Sequence, residues 1–78
     1  MSGTAPELDV VERFLLALVA DGQTHASIGR RIGKGKSATT MQLSRIYKRL
    51  GARNAPHAVA IAIRAGLLPA PDPGAHQQ

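Results

Sequence analysis

A chain of 78 residues is below the usual size of one domain, so its length leaves no room for a second folded unit beside the first. It has no cysteine, which excludes a disulfide framework and thiolate metal ligands, and its longest apolar run, Phe14 to Ala20, is far too short to span a bilayer. The formal net charge is +5, and no Asp or Glu occurs between Gly22 and Pro71, a stretch that holds Arg30, Arg31, Lys34, Lys36, Arg45, Lys48, Arg49, Arg53 and Arg64. A surface of one sign over most of its length repels itself unless a polyanion is near, so the composition points to nucleic acid. Phe14 and Tyr47 are the only aromatic residues, too few to stack single-stranded bases, which favours duplex over single strands or RNA.

In chain order, residues 1–7 read as a flexible tail rich in small residues and Pro. Asp9 is the expected N-cap of a first helix, and Glu12, three residues on, completes a capping box. Val10, Val11, Phe14, Leu15, Leu18 and Val19 are spaced to form one wide apolar face, and Asp21-Gly22 ends the helix. Thr24 caps a second helix from His25 to Ile32, with Ala26, Ile28 and Ile32 inward, and Gly33-Lys34-Gly35 makes a flexible turn. A third helix is expected to begin at Lys36, or after a Ser37 cap, and to run to Leu50 before Gly51. Thr39, Leu43, Ile46 and Leu50 form its buried stripe, leaving Ser37, Thr40, Met41, Ser44, Arg45 and Lys48 on the wet side. Asn54 caps a fourth helix with Pro56 in its first turn. Val59, Ala62 and Ile63 are assigned to the core, whereas Ala58, Ile61 and Ala65 form a leftover apolar stripe suited to a homodimer contact. Residues 69–78 read as a second flexible tail, so the folded domain is placed at 8–68. No strand pattern appears, and the fold class is all-α: a four-helix, wingless helix-turn-helix bundle.

Residues 8–68 also resemble, without a gap, the LuxR-type (GerE-type) helix-turn-helix, the DNA-binding output domain of many bacterial regulators. The resemblance is carried by Ala20-Asp21-Gly22, Ile28, Ile32, the run from Leu43 to Gly51, Arg53-Asn54, Ala58-Val59 and Gly66-Leu67-Leu68. It implies a transcription regulator whose third helix enters the major groove of double-stranded DNA, usually as a dimer, in the bacterial cytoplasm at the nucleoid. RNA polymerase or another regulator is a further class of partner for such a domain. Members usually carry Ile-Ser-x-x-Thr-Val-Lys at the turn and the start of the recognition helix, whereas this chain has Lys34-Gly35-Lys36-Ser37-Ala38-Thr39-Thr40. Gly35 replaces the Ser cap, Thr40 the base-facing Lys, and Gln42 a common His, so the preferred DNA sequence should differ from that of typical members. Members also attach this domain to a receiver or ligand-binding domain, and none is evident in this chain.

Phosphate contacts are expected from Thr24, His25, Arg30, Arg31, Lys36, Arg45, Lys48 and Arg53, with Arg49 a further basic candidate for want of an acid to pair it. Base readout falls to Ser37, Thr40, Met41 and Ser44, with Met41 suited to a thymine methyl. Gly35-Lys36-Ser37 looks like the end of a phosphate-binding loop, but the Gly that motif needs at position 30 is Arg30. His25, His57 and His76 fall on separate segments without metal-ligand spacing, and no acid–base or Ser–His–Asp set is in view, so neither a cofactor nor an enzymatic activity is expected. Two other functions fit the same letters: a protein-interaction module working through the face of the fourth helix, and a sequence-blind architectural DNA binder.

Overall fold

The computed structural model describes residues 7–70, and the two expected tails lie almost wholly outside them. Four helices follow one another: α1 Val10–Ala20, α2 His25–Ile32, α3 Lys36–Leu50 and α4 Ala55–Arg64. The domain is all-α, with no strand among the described residues. Helices α1 and α3 each touch all three others, while α2 and α4 do not touch. The core is Leu8, Leu15, Leu16, Leu18, Ile28, Leu43, Ile46, Leu50, Ala58, Ala62 and Leu68.

The helix ends follow from local chemistry. Asp9 accepts from the Glu12 amide at 2.8 Å and Glu12 accepts from the Asp9 amide at 3.0 Å, forming the capping box. Thr24 and Asn54 cap α2 and α4 by accepting from the amides of Ser27 (3.1 Å) and His57 (2.9 Å). Gly33 and Gly51 close α2 and α3 at φ 73° and 72°, the left-handed region that glycine enters without a Cβ penalty. Helix α3 begins at Lys36, with the Gly35 backbone as its N-cap and no side-chain cap; Ser37 lies inside the first turn.

The buried face of α1 differs from the expected one. Val10, Val11 and Phe14 are 72%, 55% and 46% exposed, while Leu8, Leu15, Leu16 and Leu18 are buried. The inward face joins Leu8, which precedes the helix, to Glu12, Leu15, Leu16, Leu18 and Val19; Leu15, Leu18 and Val19 are shared with the expected face. A carboxylate on that face hides it from a search for apolar periodicity. Glu12 tolerates the position because it receives both the Asp9 amide and the Arg49 guanidinium.

The α2–α3 pair is joined at a glycine that the sequence pattern does not single out. A Cβ on Gly29 would lie 2.5 Å from the Lys34 carbonyl oxygen, 2.8 Å from Thr39 Oγ1 and 3.3 Å from the Gly35 carbonyl oxygen. Thr39, fully buried, donates its hydroxyl to the Gly35 carbonyl at 2.8 Å. Gly29→Ala would gain about 1 kcal/mol of helix propensity but force backbone apart. It is expected to destabilise the domain by about 1–3 kcal/mol net, measured as a lower midpoint in chemical denaturation.

Tyr47 packs against the core with its hydroxyl buried and without a partner among the described residues. Burial raises its pKa above the ordinary tyrosine value, because the phenolate would have to form out of water. A raised folded-state pKa means that the contribution of neutral Tyr47 is complete below about pH 10 and is lost as pH rises through the folded value. Tyr47→Phe removes the unsatisfied hydroxyl and is expected to stabilise the fold by about 1 kcal/mol at neutral pH. The difference should widen above about pH 10, read from denaturation of both proteins across alkaline pH, with the single tyrosine's absorbance marking ionisation.

Candidate nucleic-acid interface

Helix α3 divides into two faces along the expected line. Thr39, Leu43, Ile46 and Leu50 are buried, and Ser37, Thr40, Met41, Ser44, Arg45 and Lys48 are exposed. Met41, at 58% exposure, is in solvent rather than in the core. Thr40, Met41, Ser44, Arg45 and Lys48 line one shallow open hollow, so the expected base-reading and phosphate-holding side chains of the helix are contiguous. Ser37 is exposed one turn earlier on the same helix.

The start of α2 meets this face. His25 Nδ1 lies 2.8 Å from Thr40 Oγ1, a bond across fifteen residues of sequence that the helical pattern alone gave no means of finding. Thr24 is already engaged as the α2 cap. In the turn, Lys34 Nζ donates to Gln42 Oε1 at 3.0 Å, lying back along α3. Gln42 thus ties the turn to the helix, a role that the sequence reading did not assign.

Arg30, Arg31, Lys36, Arg45, Lys48 and Arg53 are all exposed. Arg49 is the one exception to the expectation that basic residues after Gly22 lack an acid. It forms an ion pair with Glu12 and donates through Nη2 to the Glu7 carbonyl at 3.2 Å, bracing α3 against the start of α1. The acid is remote in sequence, so a local count of charges misses it. No other ion pair occurs among the described residues; Arg45 and Lys48 line the hollow without an ion-pair partner, and Glu12 shares an adjoining hollow with Lys34, Met41 and Arg45. Arg30, Arg31 and Lys48 also stand in the last turns of α2 and α3, where a cation complements the helix dipole.

The expected dimer stripe on α4 does not survive intact. Ala58 is fully buried in the core, because a small side chain there lets α4 approach its neighbours closely. Ile61 and Ala65 are half-buried, with Ile61 packed against the core. Leu68 folds back into the core, and the amides of Leu67 and Leu68 donate to the Ala62 carbonyl at 2.8 and 3.3 Å.

His57 Nδ1 accepts from the Arg53 amide at 3.0 Å, which fixes the entry to α4; His76 lies outside the described residues. No group of three metal-ligating side chains occurs among the described residues, and no helix there is long and apolar enough to cross a membrane. In comparisons with known proteins, no family model, no curated protein and no solved structure matches this chain.

Proposed function

We propose that this domain is a bacterial transcription regulator of the LuxR (GerE) type that binds duplex DNA sequence-specifically with α3 in the major groove. The observation that carries this reading is the outer face of α3: small polar side chains and Met41 in the centre, with Arg45 and Lys48 beside them and no acid paired to either. Small groups allow the helix to approach base edges, and the cations hold the phosphates on either side. Ser37, Thr40, Met41 and Ser44 supply sequence preference. Arg30, Arg31, Lys36, Arg45, Lys48 and Arg53 supply affinity and orientation, with Thr24 at the α2 N-terminus contributing its cap, while His25 is engaged by Thr40. The protein acts in the cytoplasm, at the nucleoid. Pairing of two copies on DNA rests on Ile61 and Ala65 of α4 alone and is accordingly weak.

A second reading has its own observation. Val10, Val11 and Phe14 are exposed on α1, and Val10 and Phe14 each lie two residues from Glu12, about 200° around the helix and so away from α3. An exposed apolar face of this kind favours contact with another protein such as RNA polymerase or a second regulator, through α1 rather than through α4.

Charge and readout separate by mutation. Lys48→Ala is expected to weaken binding about equally on all duplexes and to reduce the log–log salt slope by about 1. Arg49→Gln, which removes the brace to Glu12, should leave that slope unchanged and cost about 0.5 kcal/mol of stability or less. Fluorescence titrations over a salt series measure both. A sequence-blind binder would show no duplex preference for either variant to retain.

Met41→Ala tests the readout group directly. It is expected to cost about 1 kcal/mol on the preferred site and little on random duplex, measured by competition between the two. Equal loss on both would make Met41 a general contact.

A further inference from the structure

The hydrogen bond between His25 and Thr40 decides what a base facing Thr40 would meet. A threonine hydroxyl has one hydrogen to donate and lone pairs to accept with. The neighbouring Thr39 donates its hydrogen to the Gly35 carbonyl of its own helix. Thr40 makes no such bond among the described residues; its partner there is His25 Nδ1, at 2.8 Å. A neutral imidazole has one nitrogen that donates and one that accepts. With the ring proton on Nε2, Nδ1 takes the Thr40 hydrogen, and the oxygen is left facing outward with lone pairs only.

We infer that His25 is a positioning residue for specificity: it holds the Thr40 hydroxyl as a hydrogen-bond acceptor, which selects an exocyclic amino group, cytosine N4 or adenine N6, in the major groove. Guanine and thymine present acceptors, N7 and O6 or O4, at the same depth. An oxygen with no hydrogen to offer opposes them. An unheld threonine would rotate its hydroxyl to suit either kind of base, so the selectivity comes from a side chain on α2 that need not touch the base itself. This rests on the reading of α3 as the groove helix, and it adds the chemical class of base and the residue that imposes it.

The test uses the full chain. In the free protein at pH 8, long-range nitrogen–proton correlation spectra should show the His25 proton on Nε2, and Thr40→Val should move the His25 Nδ1 resonance. On duplexes varied singly through a site selected from random DNA, the parent should bind about tenfold tighter with adenine or cytosine than with guanine or thymine at one position. His25→Ala and Thr40→Val should each abolish that preference, and His25→Ala should change it no further in the Thr40→Val background. Thr40 is exposed, so its replacement leaves the fold intact. A ring proton on Nδ1, or a preference that persists in His25→Ala, overturns the inference. So does equal weakening of His25→Ala on every duplex with a smaller salt slope, which would make His25 a phosphate contact. A parent that binds no duplex defeats the groove reading and this inference with it. A parent that selects a sequence while His25→Ala selects the same one defeats the inference alone.

Discussion

At Gly29 the backbone of α2 lies against the carbonyls of Lys34 and Gly35, with the Thr39 hydroxyl in the same gap, and the placement of α3 depends on that contact. Any Cβ at position 29 would push the turn away. Because the turn is only three residues long, a shift there moves the whole of α3, which carries both the buried core residues Leu43 and Ile46 and the exposed face opposite them. The exposed His25–Thr40 and Lys34–Gln42 bonds flank the contact. Glu12 and Arg49 hold its far end against α1. The outer face of α3 is thus presented by a frame tied at both ends, as a groove-reading surface requires, since a shift of an ångström would misalign hydrogen bonds to base edges.

Charge is arranged around the same frame. Glu12, the acid that reaches α3, pairs with Arg49 and also lines a hollow with Lys34, Met41 and Arg45, whereas no ion pair engages Lys48. The two cations lining the hollow with small polar side chains favour a polyanion that approaches closely. The exposed Val10 and Phe14 lie about 200° around α1 from Glu12.

The parts of the fold that were legible in the sequence are those fixed by neighbours in the chain. The caps at Asp9, Thr24 and Asn54, the glycine stops at Gly33 and Gly51 and the two faces of α3 each depend on residues within one or two turns. The parts that were not legible depend on tertiary contact. Glu12 sits in the buried stripe of α1 because Arg49, thirty-seven residues away, receives it, and without that knowledge the stripe is drawn through Val10 and Phe14 instead. Ala58 reads as a surface residue until the close packing of α4 is known. Gly29 looks like an ordinary helical glycine, and the engagement of Thr40 by His25 requires the α2–α3 geometry itself.

Selection of bound duplexes from a random pool, followed by sequencing, tests most directly whether the outer face of α3 reads the sequence of duplex DNA. One short sequence should be enriched, repeated as half-sites about one helical turn apart if two copies pair. A pool that is retained by the protein but emerges with its sequences unenriched would contradict it, reducing the basic surface to a sequence-blind clamp on phosphates.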